Sequence, residues 1–250
     1  MISIRLHRIY IPRDLITNPL VLADENAHYL SNVLRVQKGA MVETFDGRGG
    51  IDRWSVLDKQ PKKVVLEHSA HERKSANRPV NLRLGLNPLK GANEETAIRM
   101  AASMEVMEII PVFFFRSDIP LDDDKMESRI NRWKRLTRSE VAVSGGAFLP
   151  EIGGPVTFDE FIINISKGIL FYENAEPGAE SVRFKPGEDV TVMVGPEGGL
   201  EKWEVEAAVE RGLTIAGMGP WILRAELAAV FAPHWIYSRV ERRLNHGSGK

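Results

Sequence analysis

The chain contains no cysteine. Disulfides, thiolate metal sites and cysteine nucleophiles are therefore excluded, and the composition is compatible with a reducing cytosol. No apolar run approaches the length of a membrane span. The opening stretch, MISIRLHRIYIP, has no long apolar segment with a small-residue cleavage site, so secretion is not expected. An excess of charge is missing as well: 33 Lys and Arg stand against 34 Asp and Glu, a formal net charge of -1. No global basic field advertises nucleic acid, and any RNA site has to arise from local clusters. His7, His28, His68, His71, His234 and His246 do not group at metal-ligand spacing. His68 and His71 come nearest, but without carboxylate or cysteine company they predict no metal. There is neither a Gly-Lys-Ser/Thr Walker loop nor a GxGxxG fingerprint, so phosphate cradling is not indicated.

What is present divides the chain in two. At 250 residues it is long enough for one large domain or two modest ones, and a hydrophobic fraction of 43% supports a sizeable core. Up to about residue 70 the pattern is of short strands: Arg8 to Ile11, Met41 to Phe45, Trp54 to Leu57 and Val64 to Glu67. Turns are expected at Asp46-Gly47 and Lys59 to Lys62, and a short helix over Asn26 to Leu34. Closely spaced strands with one small helix suggest a small β-barrel. Arg5, His7, Arg8, His28, Arg35, Lys38, Arg48 and Arg53 make this region locally cationic, which is also what an ordinary solvated surface looks like.

His71 to Pro79, polar, charged and closed by proline, reads as a linker. Beyond it strands alternate with helices, the signature of a largely parallel sheet in an α/β fold. Strands are expected at Val80 to Leu86, Ile109 to Phe115 and Ile169 to Tyr172. Asn93 is the expected N-cap of a helix running to about Glu105. A long amphipathic helix over Met126 to Val143 turns Met126, Ile130, Trp133 and Leu136 inward and Arg129, Arg132, Lys134, Arg135 and Arg138 outward. That outer face is equally suited to solvent and to phosphates.

The rest is organised around Val190 to Phe231. Val190 to Val194 has the composition of a buried strand, and Gly195-Pro196-Glu197-Gly198-Gly199 follows it directly. A helix over Glu201 to Arg211 places Trp203, Ala207 and Ala208 on one side. Thr214 to Ala216 forms a second short strand, Gly217 and Gly219 open a second tight loop, and the last helix spans Arg224 to Tyr237. Two glycine-bearing loops, each leaving a buried strand and entering a helix, mark where open α/β sheets bind ligands. Glycine content alone does not separate such a crevice from two ordinary strand-to-helix turns.

GPEGGL, followed some twenty residues later by MGPWILRAELAA, resembles the cofactor-binding core of the RsmE-type methyltransferases of the SPOUT superfamily. HRIYIP and HYLSNVLRVQKGAMVETFDGRGG resemble that family's N-terminal PUA-like RNA-binding domain, so nearly the whole chain is covered. The resemblance implies a PUA-like β-barrel over residues 1-72 and a SPOUT methyltransferase domain with a trefoil knot over 78-250. It implies a cytoplasmic homodimer that uses S-adenosylmethionine (SAM) to methylate N3 of a uridine in small-subunit ribosomal RNA. Arg8, His28 and Arg35 would then contact RNA. Tyr172, Glu173, Gly195, Glu197, Gly198, Met218, Gly219, Ile222 and Leu223 would wall the cofactor site, adenine edges suiting the backbone groups that glycine-rich loops expose. Glu197 would serve equally well as a cap for the helix that begins near Glu201.

Arg224 and Glu226 match the family's Arg-x-Glu. Arg224 would hold a phosphate or the developing ring charge, and Glu226 would accept a proton. The other possibility is that the two form an ion pair without chemical role. Several family positions differ: Ser103-Met104-Glu105, Ala142, Val143, Gly146, Trp221 and Leu227 stand where polar residues or glycine are usual, and a Lys near Asn93 is missing. With the first glycine loop intact, this asymmetry leaves open a different acceptor or a catalytically weakened RNA-binding scaffold. Leu227, Val230, Phe231, Trp235 and Ile236 suit either a dimer face or the monomer core, and Pro233 is expected to kink the last helix.

Overall fold

The computed structural model describes residues 6-76, 78-175 and 181-241. They form two compact units: one runs up to Ala76 and also takes in Arg138–Leu149, and the other holds the remainder. A single cut in the chain cannot describe that division.

In the first unit, strands β1 (His7–Tyr10), β2 (Leu20–Ala23), β3 (Met41–Phe45), β4 (Gly50–Gln60) and β5 (Lys63–Arg73) build one sheet ordered β1-β3-β4-β5-β2. β1 runs parallel to β3, and the other pairings are antiparallel. Register shifts at Arg53/Trp54 and Val56/Asp58 bend the long β4–β5 ribbon, so one face closes over Trp54, Leu30, Leu66, Val42 and Val64. Buried Trp54 keeps its donor satisfied by giving Nε1–H to Thr44 Oγ1 at 2.9 Å.

Several expectations change here. β2 was not expected, because LVLA is too short and too rich in Leu and Ala to read as a strand. The helix begins at Asp24 (α1, Asp24–His28) and widens into a π turn over Tyr29–Val33. β5 continues to Arg73, which takes His71 to Arg73 out of the linker. His68 and His71 do have carboxylate company. Both reach Oδ1 of buried Asp52 at 2.9 Å, and Arg13 holds Oδ2 at 2.7 Å. Among the described residues no cluster suited to a metal is found.

The second unit is a parallel sheet ordered β12-β10-β11-β6-β7-β8, with β9 beside β7. Its strands are β6 (Asn81–Leu86), β7 (Glu108–Phe113), β8 (Glu151–Ile152), β9 (Val156–Thr157), β10 (Gly168–Phe171), β11 (Asp189–Val194) and β12 (Thr214–Ala216). Strands covered on both faces should be apolar throughout, and β10 (GILF) is buried at every position. Alternate residues feed two cores. Val190, Val192 and Val194 meet α2 (Ala92–Ser103), α3 (Asp123–Ser144) and α6 (Ala225–Tyr237). Met193 and Leu170 meet α4 (Phe158–Ile162) and α5 (Lys202–Glu210).

Gly91, not Asn93, is the N-cap of α2. Arg129 and Arg132 on α3 are committed to Glu94 and Glu95 of α2, so these two guanidinium groups are not part of an open phosphate-binding face. On α5 the buried residues are Glu204 and Ala208, while Trp203 stays partly exposed because the helix is rotated from the expected facing. Pro233 is buried inside α6, which continues across it. No helix among the described residues is long and apolar enough to cross a membrane.

Candidate functional site

Because β10 lies between β11 and β12 and all three run parallel, their C-terminal ends fall side by side. With the first turn of α6 they enclose a cavity of about 560 Å³. Tyr172 and Glu173 come from the end of β10 and Gly195, Glu197 and Gly198 from the end of β11. Met218, Ile222 and Leu223 come from the loop after β12, and Arg224 and Glu226 from the start of α6. Gly219 alone of the expected wall does not line the cavity: its φ of +111° makes the turn, with the Trp221 ring packed over it.

The loop after β11 is built on backbone. A Cβ at Gly195 would lie 2.5 Å from Leu200 Cδ2, and one at Gly199, whose φ is +75°, 2.9 Å from Glu173 Oε1. A side chain at Gly195 would have to displace Leu200, and at Gly199 the positive φ disfavours any side chain. Arg116 braces the loop from outside, donating Nη1–H to the Gly198 carbonyl at 3.1 Å and Nε–H to Glu201 Oε1 at 2.8 Å. Asn93 reaches Glu197 Oε1 at 3.4 Å. Glu197 does not cap α5; Glu201 and Glu204 form that capping box, the more direct solution because they flank the first turn. Glu204 is fully buried and accepts the backbone N–H groups of Phe115 at 2.9 Å and Glu201 at 2.8 Å. Its burial nevertheless holds the carboxyl above the ordinary glutamate range.

Arg224 is the N-cap of α6 and is exposed, while Glu226, in the first turn, is only 8% exposed. No ion pair joins them, and Glu226 Oε2 has no hydrogen-bond partner among the described residues. A buried carboxylate oxygen left in that state is costly unless a donor arrives from outside the chain.

The residues expected to meet RNA separate. His28 and Arg35 are exposed in the first unit, Arg35 at a φ of +51°. Arg8 is buried, paired with Glu43 at 3.2 Å and stacked on Phe45, so it serves the sheet and not its surface. Arg5 lies outside the described residues.

A model of the RNA methyltransferase domain matches residues 76–237. The chain belongs to the RNA methyltransferase domain family. The match to this family takes in all three strand ends and both cavity loops. Family relatives named ribosomal RNA small subunit methyltransferase E include one from Synechocystis, 26% identical over 88% of this chain and 73% of its own length. Another, from Buchnera aphidicola, is 25% identical over 91% of each chain. Among solved structures, a Legionella pneumophila protein described as a methyltransferase in complex with the cofactor SAM superposes with a TM-score of 0.83. It is 24% identical and covers 95% of this chain and 99% of its own. A Neisseria gonorrhoeae ribosomal RNA small subunit methyltransferase E bound to S-adenosyl methionine gives 0.81 at 23% identity, over 92% of this chain and 96% of its own.

Sequence reasoning missed Arg116 as the brace and Asn93 as a cavity residue. Both act through contacts with residues more than eighty positions away, which no local pattern reports. Of the departures Ser103, Ala142, Val143, Gly146, Trp221 and Leu227, only Trp221 lines the cavity.

Proposed function

We propose that this chain is a SAM-dependent methyltransferase acting on N3 of a uridine base in small-subunit ribosomal RNA. The observation that carries the reading is the cavity at three adjacent strand ends, with Glu226 Oε2 buried and unpartnered at its wall. The residues fit SAM. Gly195, Gly198, Met218 and Leu223 offer backbone edges for an adenine, and Tyr172, Glu173 and Glu197 offer polar groups for the rest. Bound SAM supplies an electrophilic methyl group. The chain's part is to position the acceptor, take its imide proton and balance the ring charge that results. Glu226 suits proton acceptance at Oε2, and exposed Arg224 suits the developing charge or a flanking phosphate.

The finer features belong to the same reading. They are a SPOUT domain over 78-250 with a trefoil knot, a PUA-like RNA-binding domain over 1-72, cytoplasmic location and a homodimer. The return of the chain from edge strand β12 to α6, packed on β6 and β11, supports the knot. Leu227 and Phe231 support the dimer, being exposed on α6 while Ile236 is buried. Sedimentation should show a stable dimer at micromolar concentration, and a monomer would refute it. A different acceptor is favoured by one observation, the indole of Trp221 at the cavity wall.

The test has two stages. Calorimetry should show stoichiometric SAM binding; none at saturation removes every methyltransferase reading. Small ribosomal subunits from a deletion strain should then gain one methyl group at a uridine N3 on incubation with the protein and SAM. Methylation at another atom would leave the enzyme and change its acceptor.

A further inference from the structure

Two residues beyond β7 the chain places a phenyl ring in water. Phe115 is 71% exposed, yet its backbone is pinned: its N–H goes to the buried Glu204 carboxylate at 2.9 Å. The ring meets Trp203 edge to face, with centroids 6.2 Å apart and planes at 83°. Trp203, 41% exposed, meets buried Phe158 in the same way at 6.1 Å, and Phe158 packs on Phe114. A ladder of rings thus climbs from core to surface and ends in an aromatic side chain with open area. The next residue, Arg116, holds the Gly198 carbonyl of the cavity wall, so the ladder is tied directly to the candidate site.

We infer that Phe115 and Trp203 form a stacking platform for an unpaired nucleobase of the RNA, next to the nucleotide that enters the cavity. This rests on the proposed methyltransferase reading. Charge on neighbouring segments favours a base over a phosphate. Arg116 pairs with Glu201, Lys202 with Glu206 and Lys90 with Asp118, leaving no cation without a carboxylate among these three. Stacking needs only a π-face held in place, and such contacts are worth roughly tenfold or more in affinity per base.

The test compares Phe115→Leu, which keeps apolar bulk without the π-face, with Phe115→Tyr, which keeps both. With small ribosomal subunits and radiolabelled SAM, F115L should raise the KM for subunits about tenfold. Its kcat and SAM affinity should remain within about twofold, and F115Y should match the parent. The F115L effect should also persist as KCl is raised, whereas a lost phosphate contact would shrink. An unchanged KM in F115L, equal losses in both variants, or a shift in SAM affinity or sedimentation would each overturn the platform. If the parent protein methylates no RNA, the underlying reading fails separately. Anisotropy with a labelled single-stranded uridine-rich RNA then decides the platform, which is wrong if F115L binds as tightly as the parent.

Discussion

The two loops that close the cavity are held in opposite ways. Residues 195–199 are fastened from outside by Arg116, through the Gly198 carbonyl, and by Asn93, through Glu197. Residues 217–223 receive no side-chain hydrogen bond from the described residues, and they set Trp221, 73% exposed, and Ile222 toward solvent and cavity. The braced loop carries GPEGG, and the unbraced one carries Trp221. A loop held by its surroundings presents a fixed backbone to a ligand. A loop without such ties gains its order from whatever it encloses, so it can change its side chains at less cost to the fold.

The sharpest break in this comparison lies where the second loop enters α6. Glu226→Gln should cut methyl transfer by about 10²- to 10⁴-fold while SAM binding stays near parental, read by single-turnover kinetics and calorimetry. Lost SAM binding with normal turnover at saturation would instead make Glu226 a cofactor ligand. Gly198→Val comes next. Its Cβ would lie 3.3 Å from Arg116 Cβ, and the larger side chain must push that brace or fill the cavity. SAM affinity should fall about a hundredfold with the melting temperature little changed; normal affinity would count against this loop as cavity wall.

Glu204→Ala removes the acceptor of two backbone N–H groups and should cost about 2–3 kcal/mol in chemical denaturation. A related pH test follows from the upward displacement of Glu204 by burial. A raised acid contributes its stability fully below its unfolded value and loses it as pH rises through its folded value. The melting temperature of the parent minus that of Glu204→Gln should therefore fall as pH climbs out of the ordinary glutamate range. A flat difference would mean that the group is not displaced. Arg116→Ala should weaken SAM binding only about fivefold, since its ion pair is largely solvated. Smallest of all, Trp221→Arg should change SAM affinity and melting temperature by less than about twofold in affinity or a few degrees. A large loss there would erase the contrast between the loops.

Much of this site was legible in the residues themselves. Short apolar runs bounded by turn residues located β6, β11 and β12 to within a residue, most plainly β11, whose Val-rich run is buried at all but its first position. Glycines at strand ends located the cavity. What stayed hidden depends on partners distant along the chain. Arg8 looks like any surface cation until Glu43 and Phe45 are brought to it. His68 and His71 lack a carboxylate until β4 lies beside β5. Asn93 suits a cap, but Gly91 adopts the backbone that begins α2, which leaves the Asn93 amide to reach Glu197. Glu197 lost the capping role because Glu201, at the N-cap itself, and Glu204 close the capping box on the first turn.

The long helix α3 begins among the residues of one unit and ends among those of the other. Synthesis runs from the N-terminus, so the first unit cannot be completed when its own contiguous stretch has emerged. It must wait for the segment ending at Leu149, by which point two strands of the second unit, β6 and β7, have also been made. The order in which the halves mature is therefore not the order in which they are encoded. A fragment stopping at Ala76 would lack an integral piece of its own wall, including the bridge between Arg48 and Phe148.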